Sequence, residues 1–219
     1  VRIRCRRRHM SPFLYFHVFA DLAPRRRTHI RIPASQVSTL ASEVVDGFDE
    51  PYAMNRGRWK TEGNWTTSAG TVSAEGPARL YALRAGPTWN DVEFSVRFRT
   101  TPASTATDVG RLFLITDPGD ATEVRLNGAT ADIRRGAVVL GSGPAVFAPS
   151  QYVEYTVRNK INRAAGVADI SVRNGSGAVV ASARVPARPA GGVGIRVGAN
   201  CVVDVDRIRI RPLKAGEAP

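Results

Sequence analysis

Histidines, carboxylates and aromatic rings are the side chains of this 219-residue chain that could do chemistry, and their positions already separate them. His9, His17 and His29 are the only histidines, and all lie in the first 29 residues. From residue 30 onward no imidazole stands ready to activate a serine or cysteine nucleophile, so a Ser-His-Asp or Cys-His site would have to borrow one from the head of the chain. Two cysteines, Cys5 and Cys201, exclude a disulfide-dense scaffold and a four-cysteine zinc site. Cys201 opens the apolar run Cys201-Val202-Val203 and reads as a buried, inert thiol.

Carboxylates remain. Glycoside hydrolysis needs two of them on one face, roughly 5–9 Å apart. Residues i and i+2 of a strand share a face, which makes Asp91/Glu93 and Asp204/Asp206 the formal pairs. Glu93 alternates with an apolar set and is expected on a solvent-facing convex surface. Asp204 and Asp206 are expected near a strand end, where their oxygens would take turn hydrogen bonds or calcium. Asp117-Pro118-Gly119-Asp120 reads as a solvated turn in preference to a cation site. Among aromatics, Trp59, Trp65 and Trp89 are the only tryptophans, with Tyr52 and Tyr81 nearby in sequence. A ring exposed on a concave sheet stacks on the apolar face of a sugar while neighbouring polar groups fix the hydroxyls. Trp65, Trp59 and Tyr81 are therefore the candidate ligand contacts, with Trp65 expected at a rim and Trp89 read as structural.

The elements that must position these residues are mostly strands. Val92, Phe94, Val96 and Phe98 alternate with Glu93, Ser95, Arg97 and Arg99. Val153, Tyr155 and Val157, then Ala168, Ile170 and Val172, then Ile208 and Ile210, repeat that period of two against polar neighbours. Leu112 to Ile115 is a continuous apolar run suited to a central strand. Asn127-Gly128 favours a type I′ hairpin turn, and Arg135-Gly136 and Asn174-Gly175-Ser176-Gly177 punctuate two more hairpins. About twelve to fourteen short strands follow from Asp46 onward, a rhythm that reads as an antiparallel sandwich or barrel. One helical stretch interrupts it: Val37, Leu40, Ala41, Val44 and Val45 share a helical face, Ser35 can cap the start, and Gly47 follows the end. A linker helix is predicted over 35–45. No glycine-rich strand-to-helix turn is present, which argues against a nucleotide-binding α/β fold.

Hydrophobic residues at 43% and charged residues at 23% are ordinary globular values. The net charge of +12 is uneven: residues 1–33 hold nine arginines and one acid, which is +8 of it. The high pI is therefore a property of a short basic arm, residues 1–34, expected to be disordered and not to form a folded nucleic-acid face. The arm's apolar centre, Pro12 to Ala20, is too short and too polar for a secretion signal and is followed by Asp21 and three arginines. It reads as the end of an upstream segment or an over-extended start. No apolar run approaches the roughly 20 residues of a membrane helix.

Taken in order, the landmarks resemble the concanavalin A-like lectin/glucanase superfamily, above all its laminin-G-like jelly rolls and the domains described as 3-keto-disaccharide hydrolases. Asp46-Gly47-Phe48-Asp49 leads to Trp59; Gly63-Asn64-Trp65 and Gly70-Thr71-Val72 follow; Trp89-Asn90-Asp91 introduces a regular strand. Leu112 to Thr116 runs into Asp117 and then Glu123 to Leu126, and the close is Gly192-Val193-Gly194-Ile195 with Val205-Asp206-Arg207-Ile208. The resemblance implies an all-β antiparallel jelly-roll sandwich over residues 46–213, with a tail at 214–219. It implies pairing of the first strand with the last, which brings Asp46 or Asp49 near Asp206 as a calcium site. It also implies a non-catalytic carbohydrate-binding or surface-adhesion module whose partner is a glycan or cell-surface polysaccharide. A phage minor tail protein and a glycosidase-like hydrolase are the alternatives. The Glu-x-Asp-x-x-Glu signature of the laminarinase-type enzymes is absent. The arginine-rich composition, with only Lys60, Lys160 and Lys214 as lysines, suits a high-GC genome, and an extracellular or virion-associated location is expected.

Overall fold

The computed structural model describes residues 2–6, 13–19, 28–33, 44–48, 59–68, 70–82, 91–101, 109–115, 122–187, 192–199 and 201–219. The chain divides into two units, Val1–Glu43 and Val44–Pro219. In the first, β1 (Arg2–Arg6), β2 (Phe13–Phe19) and β3 (Thr28–Pro33) form an antiparallel sheet in that order. This is the stretch read above as a basic arm; its aromatic and β-branched residues, among them Phe13, Tyr15, Phe16, Val18 and Ile30, are types that favour strands.

In the second unit every regular element among the described residues is a strand. These are β4 (Val44–Asp46), β5 (Trp59–Ser68), β6 (Thr71–Ala82), β7 (Val92–Thr100), β8 (Val109–Ile115), β9 (Thr122–Leu126) and β10 (Thr130–Arg135). They continue with β11 (Val138–Pro144), β12 (Val153–Asn162), β13 (Val167–Asn174), β14 (Val179–Pro186), β15 (Gly192–Val197) and β16 (Val202–Pro212). The predicted helix over 35–45 is corrected at its end: Val44 and Val45 belong to β4, in antiparallel register with Ile210 and Arg209 of β16. A β-branched pair beside a strand with open backbone groups gains ladder hydrogen bonds that a helix end would not supply. Residues 35–43 lie outside the described residues.

Hydrogen bonding follows the path β11-β10-β9-β8-β15-β6-β16-β7-β12-β13-β14, with β4 on β16 and β5 on β6. One long strand, β6, carries this path from one layer to the other. Val72–Glu75 of β6 pair with β16, whereas Ala78–Tyr81 pair with β15. The ends of the path then meet: Gly141 and Gly143 of β11 lie directly against the carbonyls of Ser182 and Val180 in β14. The result is the antiparallel jelly-roll sandwich expected from the alternating pattern. Its core joins Val92, Phe94, Val96, Ile208 and Ile210 of one layer to Val124, Leu126, Ile133 and Ile195 of the other, all essentially inaccessible.

The hairpins fall where the turn residues place them, with one difference in type. Between β9 and β10 only Gly128 has a positive φ, at 82°, and Asn127 accepts hydrogen bonds at Oδ1 from the amides of Ala129 and Thr130. A type I′ turn needs positive φ at both central residues, so the Gly128-Ala129 centre follows the II′ pattern instead. Asn127 serves as the side-chain cap and not as the first central residue. Cys201 is fully buried, as its apolar context predicts.

Candidate functional site

The formal catalytic acids lie on the outer face of the layer β16-β7-β12-β13, and each is engaged. Glu93 is the correction: expected in solvent, it is 5% exposed. Register sets it between Arg158 of β12 and Arg211 of β16. Arg211 donates from Nε to Oε1 at 2.7 Å and from Nη2 to Oε2 at 2.8 Å; Arg158 donates from Nε to Oε2 at 2.8 Å. Burial alone would raise the Glu93 carboxyl, but the hydrogen bonds and charges of Arg211 and Arg158 outweigh it and hold it below the usual carboxylate range.

The last residues of the chain complete this cover. Glu217 accepts from Arg211 Nη1 at 2.9 and 3.1 Å and from the Lys214 amide at 2.7 Å, and these bonds bring its carboxyl down to about 2. Arg158 donates to Ala218 O, Arg173 to Pro219 O and Lys160 to Glu217 O. A face that sequence alternation marks as solvated is thus laced by ion pairs and overlaid by residues 213–219. Asp91, the other half of its pair, accepts the Ile161 amide at Oδ1, 2.8 Å away.

Asp204 and Asp206 lie within β16, not at its end, and a bulge between Val205 and Arg207 takes Asp206 out of the ladder. Asp204 accepts the Ser73 hydroxyl at 2.6 Å and Arg99 Nε at 2.9 Å. Asp206 Oδ2 lies 3.1 Å from Arg97 Nη1, while its Oδ1 is buried with no hydrogen-bond partner. Burial raises the Asp206 carboxyl, against the pull of Arg97 and Arg207. The first strand does pair with the last, and Asp46 stands in register with Ile208, two residues beyond Asp206. Asp49 lies outside the described residues. No cluster of three metal-ligating side chains occurs among the described residues. The orphaned Oδ1 is the feature that fits a hard cation such as calcium; the guanidinium on the same carboxylate is the one such an ion would have to displace.

The other layer places the predicted aromatic contacts. Trp65 is opposite Ala74, half-buried against the core, and donates its indole N–H to Glu62 O at 3.1 Å. Trp59 is opposite Ala82, two positions along β5 from Thr61, which is in register with Leu80. Tyr81 belongs to the opposite row. It is in register with Gly194 and Lys60, and Gly194 with Phe113, which is opposite Glu123. Trp89 lies outside the described residues. Register puts the Trp59 and Trp65 positions in rows other than that of Tyr81. Phe113 beside it went unnoticed because it sits in a continuous apolar run, where alternation gives no signal.

No protein-family model and no curated protein sequence matches this chain. Solved structures do. A GH43 protein, BlXynB from Bacillus licheniformis, superposes with a TM-score of 0.57 at 12% identity, over 77% of this chain and 39% of the other. The exoplasmic/lumenal domain of VIP36, in its Ca2+/Man3GlcNAc-bound form, matches at 0.56 and 10% identity, over 80% of this chain and 92% of that one. Lectin UEA-II, complexed with galactose, matches at 0.57 and 11% identity, over 78% and 98%. The chain thus spans about two fifths of the GH43 protein and nearly the whole of the VIP36 domain and of UEA-II. At these identities the likeness is one of architecture, and the architecture of this chain is the concanavalin A-like jelly roll.

Proposed function

We propose that this chain is a non-catalytic carbohydrate-binding module that contacts its glycan through the outer face of β8, β15 and β6. The observation that carries this is the division of labour between the layers. The acids that could cut are held by arginines, a hydroxyl or a backbone amide. The row Phe113–Gly194–Tyr81 instead puts two aromatic positions on either side of a residue with no side chain. Structures of this architecture that match the chain include lectin UEA-II complexed with galactose and the VIP36 domain in its Ca2+/Man3GlcNAc-bound form, which supports binding as its use.

A glycan array with the full chain tests the reading. Tyr81→Ala is expected to weaken a detected affinity roughly tenfold, whereas Trp65→Ala is expected to lower the melting midpoint because the ring packs on the core. Absence of any glycan ligand, or a Tyr81→Ala protein that binds as well as the parent, would remove the proposal. Release of reducing sugar that disappears on removing one carboxylate would replace it with a hydrolase.

A structural calcium ion held by Asp46, Asp49 and Asp206 is the second part of this reading. The register of Asp46 and the orphaned Oδ1 of Asp206 support it. Calcium is then expected to raise the melting midpoint relative to chelator, because a ligand of the folded state alone stabilises it. Asp206→Asn is expected to abolish the rise. Equal midpoints with calcium and with chelator would delete calcium from the reading.

A further inference from the structure

Arginines on the two layers are arranged differently. On the layer β16-β7-β12-β13-β14, cross-strand neighbours alternate in sign: Arg211–Glu93–Arg158, Arg97–Glu154, Asp204–Arg99 and Lys160–Asp169–Arg184. Its one Arg–Arg register, Arg97 opposite Arg207, is bracketed by ion pairs of Arg97 with Asp206 and of Arg207 with Glu154. That layer neutralises itself.

The other layer does not follow this rule. Arg125 of β9 is in register with Arg111 of β8, Arg111 with Arg196 of β15, and Arg196 with Arg79 of β6. Acids stand only at the ends of this line, Asp132 opposite Arg125 and Glu62 opposite Arg79. Four arginine positions on four adjacent strands therefore form one straight row of about 14 Å, taking roughly 4.8 Å per strand. Like charges directly opposite one another disfavour the sheet. Arg196 does pair with Glu123, 3.3 Å away, but Glu123 belongs to the adjoining row. That adjoining row is the one containing Phe113, Gly194 and Tyr81.

We infer that this row, with the aromatic row beside it, is a binding site for a linear polysaccharide carrying carboxylate or sulfate groups. The inference rests on the glycan-binding reading above and specifies its ligand class. Guanidinium forks match planar carboxylates and sulfates in bidentate fashion. Evenly spaced cations suit a polymer with evenly spaced anions, and the adjoining row holds two aromatic residues, a type that stacks on sugars.

Isothermal titration of the full chain with polygalacturonate, dextran sulfate, neutral polysaccharides (dextran, mannan, xylan) and single-stranded DNA tests this. Polygalacturonate or dextran sulfate is expected to bind, more weakly as salt rises. Arg196→Glu and Arg125→Glu are each expected to weaken that binding roughly tenfold. Arg163→Glu makes the same change of charge on an exposed turn and is expected to stay within about twofold of the parent. The basic head is common to all variants, so its own attraction for polyanions cancels. Arg196→Gln, which keeps the stem, guards against a folding defect and is expected to show an intermediate loss. Equal affinities for Arg196→Glu and Arg163→Glu would overturn the site. DNA bound more tightly than either acidic polysaccharide would overturn the ligand class. Binding of neutral glycans without the acidic ones would overturn this inference and leave the glycan-binding reading standing, whereas failure of every polysaccharide would remove both.

Discussion

Glu93→Ala is expected to lower the unfolding free energy by about 3 kcal/mol, the lower end for breaking a buried ion pair. Glu93 is 5% exposed, and two guanidiniums depend on it, Arg211 through two hydrogen bonds and Arg158 through one. Deleting the carboxylate takes the Glu93 ion pair from both cations and leaves Arg158 on the Ala218 carbonyl and Arg211 on Glu217. The figure sits at the low end because Arg158 and Arg211 remain 20% and 15% exposed, so water recovers part of the loss. Denaturant unfolding with an unchanged slope checks it; a loss below about 1 kcal/mol would show that solvent replaces the acid without difficulty.

The same cluster sets a pH dependence. Glu93 and Glu217 both have carboxyls depressed in the folded chain, Glu217 to about 2, against 4.5 ordinarily. A depressed acid contributes stability that is complete above the unfolded value and is lost as pH falls through the folded one. Stability is therefore expected to decline from about pH 5 to about pH 2. Asp206, raised by burial, acts in the opposite sense: its ionisation costs the folded state at neutral pH, and protonation relieves that cost. The glutamates outnumber it, and the acid limb is expected to be shallower in Glu93→Gln. An identical limb in that variant would place the acid sensitivity elsewhere.

Gly143→Ala is expected to cost about 3 kcal/mol, the upper range for overpacking. A methyl built on Gly143 falls 1.7 Å from Val180 O, and one on Gly141 falls 2.2 Å from Ser182 O. Both obstacles are backbone atoms of β14, which is held by its ladder to β13 and cannot turn aside as a side chain could. The two glycines are what lets the ends of the hydrogen-bonded path come together, so the variant separates β11 from β14. Gly175→Ala is the control. Its methyl meets nothing closer than 3.7 Å and its φ is not positive, so a change within about 0.5 kcal/mol is expected. Equal effects at the two sites would show that the contact between β11 and β14 contributes nothing to stability.

Alternation and turn chemistry were enough to read the sandwich, because both are local: a period of two in Val92–Phe98 or Val153–Val157 needs no partner to be recognised. The same locality explains the errors. Alternation assigned Glu93 to solvent, since it reports which face a residue occupies and not what later covers that face; Arg158, Arg211 and residues 213–219 arrive there from 65 and more positions away. Val44 and Val45 matched a helical spacing, but the decisive partner was β16, some 165 residues downstream. Trp65 was expected at a rim; the pairing of β5 with β6 sets it opposite Ala74, half-buried against the core.

What the sequence by itself determined is the alternating strand pattern from Val92 onward, the places of its hairpins and a body from residue 30 onward without an imidazole, because residue type and nearest-neighbour spacing decide those things. Tertiary structure alone decided which charges meet. Arg79, Arg111, Arg125 and Arg196 share no spacing in the chain, and only inter-strand register, set by burial of the opposite face, aligns them in one row.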